Sequence, residues 1–381
     1  MPQLDALRGV AILAVFVQHL GDRFMPFVDA ELTRALPRAL GPWALTVLHH
    51  AHWGVDLFFV LSGFSLAQGY LRAFDRGGPA PSARTFLARR AARVLPGFYV
   101  ALLVTLAFHR STPALPGFAS SLIAHALVLQ GYLQPGGIVL IGAAWSLTTE
   151  AHFYLLLPLI ARPLLDRARG LGRPLLFGGA LVLGAWASRA WLHDHGLDPG
   201  VRTAWIEDTQ RRWITSRLDQ FVLGALAAAA HLEITRRASS LAARYAPVGI
   251  ALSLVALVLG FRLEGELFLE PRGSWPYAII SLATALLVLS ATLLHERAHP
   301  FLAPRALTAL GVWSYGFFLY HQLALGLVGS VLRAPGWWSL AANATGALAL
   351  SALFGAASWT LIERPAMRWA ASGARVQSPP G

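Results

Sequence analysis

The sequence is divided into long apolar segments separated by shorter polar ones. Ten of these segments are 16 to 24 residues long, and a helix needs about 20 apolar residues to cross a bilayer core. The 381-residue chain is 56% hydrophobic and only 13% charged, with a mean hydropathy of +0.54. We therefore predict an all-α fold, a polytopic membrane helix bundle. The predicted spans are 4–21, 53–71, 94–109, 145–161, 174–192, 215–232, 246–262, 276–294, 307–330 and 339–361.

Arginine placement predicts the orientation of these spans. Four connecting segments are rich in arginine, and positively charged loops stay in the cytoplasm. These segments are 72–93, 162–173, 233–245 and 295–305. Their alternation with the outer loops places both termini in the cytoplasm.

The apolar run 117–131 does not fit this alternation. If the run crossed the membrane, the arginines of 162–173 would lie on the outer side. The run is also short for a span, and the turn-forming sequence Gln134-Pro135-Gly136-Gly137 follows it. We predict a short re-entrant or interfacial helix here, beside about ten transmembrane helices.

The residue composition excludes several classes of function. A net charge of +12 would favour nucleic acid in a soluble protein, but here the arginines lie beside apolar spans. This pattern indicates the lipid bilayer, and no nucleic acid, as a partner. The sequence contains neither Lys nor Cys, which excludes a Schiff-base lysine, a thiolate nucleophile and disulfides. His49, His50 and His52 are closely spaced, but no acidic motif accompanies them, so we predict no metal site.

The first span carries two ionisable residues, Arg8 and His19. Eleven residues make about three helical turns, so both side chains lie on one face, about 16 Å apart along the axis. Ionisable groups inside a membrane are costly and usually functional. A neutral imidazole accepts a proton from an attacking hydroxyl, which makes His19 a candidate general base. The alternative is a histidine that hydrogen-bonds across the bundle and has only a packing role.

Two carboxylates are candidates to assist His19. A general-base histidine is commonly oriented by an acidic side chain, and Asp56 and Glu150 both lie in predicted spans. We therefore predict both as catalytic residues. The alternative for Glu150 is an acid that reaches the membrane interface beside aromatic anchors.

An arginine cluster, Arg89, Arg90 and Arg93, precedes the third span. Guanidinium groups bind phosphates through paired hydrogen bonds and stack on adenine rings. The cluster, together with Arg8, is predicted to bind a phosphorylated cytosolic donor such as coenzyme A. The alternative is that the cluster only fixes the orientation of the span.

Other polar or aromatic residues of the spans are candidates to line the substrate cavity. They are Trp145, Tyr154, Arg217, Asp219 and His321. Arg217 and Asp219 also have a structural interpretation, as an ion pair that fixes helix packing.

Six sequence blocks follow one another along the chain. They are LDALRGVAILAVFVQH, WGVDLFFVLSGF, RRAARVLP, WSLTTEAHFYLLLPL, RLDQFVLGALAA and SYGFFLYHQ, and LIERP closes the series. In this order they resemble acyltransferase family 3, the integral-membrane O-acyltransferases of the O-antigen and exopolysaccharide acetylase type. The resemblance covers residues 4–366.

The resemblance implies a ten-span enzyme of the bacterial cytoplasmic (inner) membrane. Such an enzyme transfers an acyl group, usually acetyl, from cytosolic acyl-CoA (acetyl-CoA) to a hydroxyl of a sugar or glycan, including lipid-linked glycans. The resemblance implies a catalytic role for His19, functional importance for Arg8 and the arginine cluster, and an assisting role for Glu150. We expect one acyltransferase domain over 1–366 and a disordered cytoplasmic tail over 367–381.

Three alternatives to a glycan acyltransferase stay open. Some members of the family acylate cytosolic metabolites such as macrolides, so the acceptor side is not fixed by the resemblance. A proton-coupled transporter would also use intramembrane His, Asp and Glu, and would move solute without releasing CoA. A membrane scaffold would tolerate the loss of His19.

Overall fold

The structure, a computed structural model of the chain, describes residues 1–24, 41–108, 114–133, 138–167, 170, 172–195, 212–267, 275–294, 303–331 and 337–376. These residues form helices and connecting turns, without a β-strand in the described ranges. The helices are α1 (Pro2–Phe24), α2 (Trp53–Asp75), α3 (Ala83–Phe108), α4 (Phe118–Ala126), α5 (Trp145–Leu165), α6 (Gly172–His195), α7 (Ile214–Arg237), α8 (Ser239–Leu267), α9 (Trp275–Leu293), α10 (Arg305–Val331), α11 (Trp337–Ser358) and α12 (Arg364–Val376). A short helical segment, 41–49, precedes α2, and a π-helical turn, Trp359–Glu363, joins α11 to α12.

The predicted all-α membrane bundle is confirmed. Within the described residues, seven helical stretches are long and apolar enough to cross a membrane. They belong to α1, α2, α3, α6, α8, α9 and the continuous run from α11 to α12. The long helices α5, α7 and α10 fall below that hydropathy because they carry polar residues such as Glu150, Asp219 and His321. Ten is therefore an approximate number of spans.

The segment predicted to be re-entrant or interfacial contains the short helix α4. Its nine residues give a length of about 13 Å, less than half of a hydrocarbon core. The loop Gln134–Gly137 that follows lies outside the described residues.

The C-terminal part differs from the predicted disordered tail over 367–381. Helix α12 continues to Val376 and packs against α3, since its apolar residues lie on one side of the helix. Residues 377–381 lie outside the described residues.

Two close helix pairs position the interior. Helix α1 packs along α10, and α2 packs along α7. A methyl group added at Gly9 would overlap the Leu307 carbonyl oxygen, and one added at Gly63 would overlap that of Phe221. Small residues therefore let these backbones approach closely, as membrane helix interfaces require. Helix α1 also contacts α2, so α1, α2 and α10 enclose a common interior space.

Candidate active site

A cavity of about 310 Å³, here called the arginine cavity, lies between α1, α2, α3, α5 and α10. Its polar lining consists of arginines, serines, tyrosines and one acid: Arg8, Ser62, Ser65, Arg90, Arg93, Ser146, Glu150, Tyr154, Ser314 and Tyr315. Its apolar lining consists of Val55, Phe58, Phe59, Leu66, Val94, Leu147 and Phe318. Glu150, a predicted catalytic residue, and Tyr154, a predicted cavity residue, therefore share one space with Arg8.

The arginine cavity has a cationic end and an apolar end. Its lining on α2 runs from Val55 to Leu66, a distance of about 16 Å along the helix. Near the Leu66 end, Arg8 donates a hydrogen bond to Ser65 Oγ (2.8 Å) and pairs with Asp5 (2.6 Å). Val55 lies at the apolar end. This polarity suits a ligand with an anionic head and a less polar extension.

The arginine cluster contributes two of its three members to the cavity. Arg90 and Arg93 line it, while Arg89 is exposed and is not among the lining residues. Viewed along the axis of α3, the side chain of Arg93 projects in a direction between those of Arg89 and Arg90. The cavity lies on the side of the helix that carries Arg90. The Arg90 guanidinium also lies 5.8 Å from the centre of the Phe86 ring.

Glu150 is held by hydroxyl groups rather than by a histidine. Ser62 Oγ donates a hydrogen bond to Glu150 Oε1 (2.6 Å), and Tyr154 hydrogen-bonds to the same carboxylate. Glu150 also interacts electrostatically with Arg8. Among the described residues, Glu150 and His19 share no hydrogen bond or ion pair. The sequence did not single out Ser62 and Ser65, although their three-residue spacing places both on one helix face.

His19 contacts a second histidine, His321. The distance from His19 Nδ1 to His321 Nε2 is 3.2 Å, and the ring centres are 4.8 Å apart. His19 Nδ1 is also 2.8 Å from the Val15 carbonyl oxygen. Since a carbonyl only accepts, Nδ1 carries the proton of the neutral ring, and the lone pair is on Nε2. His19 therefore has the tautomer that accepts a proton at Nε2.

A second cavity, of about 470 Å³ and here called the histidine cavity, borders His19. Its lining residues are His19, Asp22, Arg23, Phe108, Gln322, Leu323, Leu325, Gly326, Leu327 and Ser330. Phe318, His321 and His19 connect the two cavities through direct contacts. Phe318 lines the arginine cavity, its carbonyl oxygen lies 2.7 Å from His321 Nδ1, and His321 contacts His19.

Asp56 lies in a buried ion pair between α2 and α7. Its Oδ1 accepts hydrogen bonds from Arg217 and from Gln220 Nε2, the latter at 2.6 Å. Asp56 and Arg217 are each about 5% exposed. Neither residue is among those that line the two cavities.

The predicted ion pair between Arg217 and Asp219 is wrong. Residues two apart on a helix point in different directions, and each pairs with another helix instead. Asp219 pairs with the buried Arg189 (3.1 Å) and accepts hydrogen bonds from Trp186 and Ser281. Arg189 is not among the residues predicted from the sequence, although an arginine inside a span is itself a signal for a buried acidic partner.

Trp145 lies beside the cavity rather than in its lining. Its ring meets Phe59 edge to face at 6.3 Å, and Arg212 lies 6.0 Å from its centre. Its neighbours Ser146 and Leu147 line the arginine cavity.

His50 and His52 have an acidic neighbour that the sequence did not indicate. Glu264, from α8, lies 3.6 Å from His50 Nε2 and 3.9 Å from His52 Nε2. Its two histidine partners are more than 200 residues away in sequence, so no local sequence motif predicts the contact. Among the described residues, no group of three His, Asp or Glu has an arrangement suited to a metal ion.

The sequence of the chain matches a known protein family. The acyltransferase-domain model of acyltransferase family 3 matches residues 1–363. Nodulation protein 10 of Rhizobium leguminosarum bv. viciae is 28% identical over 361 residues, covering 86% of this chain and 85% of that protein. Acyltransferase MdmB of Streptomyces mycarofaciens is 33% identical over 42% of this chain and 38% of its own length. A putative O-acetyltransferase of Staphylococcus aureus is 26% identical over 43% of this chain and 25% of its own length.

No solved structure matches the chain. The family match, however, extends over nearly all of it, from α1 to the π-helical turn that follows α11. The chain therefore belongs to acyltransferase family 3 and is a membrane O-acyltransferase.

Proposed function

We propose that the protein transfers an acyl group, most simply acetyl, from cytosolic acyl-CoA to a hydroxyl of a glycan or glycosylated acceptor. The observation that carries this proposal is that His19 lines one cavity and is connected through His321 and Phe318 to a second cavity of different chemistry. One cavity has arginines for an anionic donor, and the other is open to His19 and suits an acceptor. The relative named as a putative O-acetyltransferase supports acetyl as the group transferred.

The donor is proposed to bind in the arginine cavity. Arg8, Arg90 and Arg93 face its cationic end and bind phosphate groups of acyl-CoA through charge-assisted hydrogen bonds. The pantetheine arm then extends about 16 Å along α2 towards the apolar residues at the other end. This places the thioester beside Phe318, whose backbone binds His321.

His19 is proposed to act as the general base. Its Nε2 accepts the proton of the acceptor hydroxyl while the hydroxyl oxygen attacks the thioester carbonyl carbon. The carbon–sulfur bond then breaks, and the imidazolium returns the proton to the CoA thiolate. The products are the O-acyl ester and CoA. We propose direct transfer, since the sequence offers no cysteine to form an acyl-enzyme.

The acceptor is proposed to enter through the histidine cavity. Asp22, Arg23 and Gln322 supply polar contacts for sugar hydroxyls, and the remaining lining is largely apolar. Such a mixed lining suits a sugar that carries or is linked to an apolar group, as in a lipid-linked glycan.

The two predicted acidic residues are proposed to act away from His19. Glu150, held by Ser62, interacts electrostatically with Arg8 and helps to organise the donor site. Asp56 fixes α2 against α7 through Arg217. Both assignments follow from their hydrogen-bond partners.

The location is proposed to be the bacterial cytoplasmic membrane, with both termini in the cytoplasm. Arg72, Arg162, Arg236 and Arg237 lie at the helix ends that this orientation places inside. The arginine cavity then opens towards cytosolic acyl-CoA. We propose that 1–366 act as a single catalytic domain.

The test is transfer of radiolabelled acetyl from acetyl-CoA by the purified protein in detergent or nanodiscs. The acceptors are a panel of mono- and oligosaccharides, lipid-linked saccharides and glycosylated metabolites. Label in a saccharide supports the proposal, and mass spectrometry of the product identifies the ester. Label only in a cytosolic metabolite would move the acceptor to the other side of the membrane.

A proton-coupled transporter is the second candidate. It is favoured by one observation, a pair of titratable histidines between two cavities. It predicts solute-dependent proton flux in proteoliposomes without CoA release. Absence of acetyl transfer to every acceptor, together with such flux, would replace the acyltransferase proposal.

A further inference from the structure

The hydrogen-bond partner of His19 is the neutral imidazole of His321, not a carboxylate. His321 is fully buried, and its Nδ1 lies 2.7 Å from the Phe318 carbonyl oxygen. That carbonyl only accepts, so His321 Nδ1 carries the proton and Nε2 presents a lone pair. The lone pair points at His19 Nδ1, 3.2 Å away.

The tautomers of the two rings are complementary, because one ring presents a donor to the acceptor of the other. His19 Nδ1–H donates to the Val15 carbonyl and is shared with His321 Nε2. If His321 moved its proton to Nε2, two N–H groups would face each other. The Nδ1 lone pair would then face the Phe318 carbonyl oxygen, which already accepts a backbone hydrogen bond within α10. Both contacts would be repulsive, so this alternative is suppressed.

The His321 ring is also fixed by packing. The Phe317 ring lies nearly parallel to it at 6.3 Å, and the Phe318 ring lies 5.9 Å away. Helix α10 lies along α1, which carries His19, so the two imidazoles are held by one helix interface. Their relative orientation is therefore set before any substrate binds.

We infer that His321 is a positioning residue, which holds His19 in the Nδ1–H tautomer and stabilises its protonated form through a neutral hydrogen-bond acceptor. This inference deepens the proposed function and depends on His19 being the general base. His321 takes the place that an acidic residue occupies in an acid–histidine pair. The charged side chains that share the histidine cavity with His19 are Asp22 and Arg23, and they are kept unchanged in the test.

The test compares His321→Gln with His321→Leu. The glutamine oxygen can accept a hydrogen bond in place of Nε2, whereas leucine fills space without accepting. We expect His321→Leu to lower kcat by about 10- to 100-fold, the usual effect of losing a hydrogen bond to a charged group. The KM for acetyl-CoA should change little, and His321→Gln should recover most of kcat. CoA release is followed with the best acceptor of the panel or, failing one, with water.

A second readout does not need turnover. Diethylpyrocarbonate acylates neutral imidazole, so its rate at His19, followed by peptide mass spectrometry across pH, reports the protonation of that ring. In His321→Leu, the loss of the hydrogen-bond acceptor should shift the titration of His19 to lower pH. In His321→Gln, which keeps an acceptor oxygen, the shift should be smaller. Thermal unfolding verifies that each variant is folded.

Equal kcat in both variants and wild type, or an unshifted His19 titration in His321→Leu, would overturn the inference. Full activity of His19→Ala would instead overturn the proposed role of His19. The two failures are therefore distinguishable. If His321→Leu does not fold, His321→Asn replaces it, because its shorter amide cannot reach His19.

Discussion

Arg8 and His19 lie on one face of α1 but open into different cavities. Arg8 lines the arginine cavity, and His19 lines the histidine cavity. The three helical turns between them span about 16 Å, which is comparable with the length of the donor site along α2. A single helix thus links the anion-binding end of the proposed reaction to its base.

The arginine cavity predicts which arginines bind the donor. Replacing Arg90 and Arg93 together with alanine should raise the KM for acetyl-CoA at least about tenfold, because hydrogen bonds to charged groups contribute about 1.5–3 kcal/mol each. The matched control is Arg89→Ala, an exposed neighbour outside the cavity lining. Initial rates of CoA release at increasing acetyl-CoA measure both. An equal effect of Arg89→Ala would mean that the cluster acts by general charge.

The histidine cavity predicts a variant that affects the acceptor alone. A Cβ added at Gly326 meets no atom within 4 Å, so Gly326→Leu should be tolerated while its side chain fills the cavity. We expect the acceptor KM to rise at least about fivefold, the range for overpacking, with the acetyl-CoA KM unchanged. Gly184→Leu on α6, also without a neighbour within 4 Å, is the control. An unchanged acceptor KM would place the acceptor elsewhere.

The buried pair of Asp56 and Arg217 predicts a stability effect. Asp56→Asn removes the carboxylate charge that pairs with the buried Arg217 guanidinium, and breaking such a pair costs about 3–5 kcal/mol. Thermal unfolding in detergent should show a lower Tm, while kcat per folded molecule stays within about twofold of wild type. The double variant Asp56→Asn, Arg217→Gln should recover part of the Tm. A fall of kcat by about 100-fold at unchanged Tm would restore the catalytic assignment of Asp56.

The short helix α4 predicts a pH dependence of stability. His125 Nδ1 donates to the Ser121 carbonyl (2.8 Å), and its Nε2 accepts from the Ile141 N–H (3.4 Å). Burial lowers the pKa of the His125 imidazole below its ordinary value of about 6.5. The unfolded chain therefore binds the proton more readily, so stability should fall as the pH decreases below about 6.5.

Thermal unfolding between about pH 5 and pH 8 measures this effect. His125→Asn should be less stable at neutral pH and should lose less on acidification, since asparagine does not titrate. The same slope of Tm against pH in both proteins would assign the acid sensitivity to other histidines.

The sequence predicts the helices better than it predicts which side chains contact one another. The spacing of Arg8 and His19 sets their common face, and hydropathy identifies the membrane bundle. The partner of His19 could not be predicted, because His321 is 302 residues away and the rotation of α10 about its axis decides which side chain faces α1.

Some errors were avoidable from local geometry. Arg217 and Asp219 are two residues apart on a helix, so their side chains diverge, and this spacing argues against a pair between them. Arg189 inside a span could have been matched to Asp219 by charge alone. In contrast, the separation of Arg89 from the cavity depends on the rotation of α3, which its three clustered arginines do not reveal.

The most direct measurement is acceptor-dependent CoA release from acetyl-CoA by wild type, His19→Ala and the control His152→Ala. His152 lies on α5, with Nδ1 bonded to the Thr148 carbonyl, and is outside both cavity linings. We predict that His19→Ala reduces turnover by about 10²- to 10⁴-fold, the contribution of a positioned base, and that His152→Ala resembles wild type. CoA release by folded His19→Ala at the wild-type rate would contradict the central claim that His19 is the base.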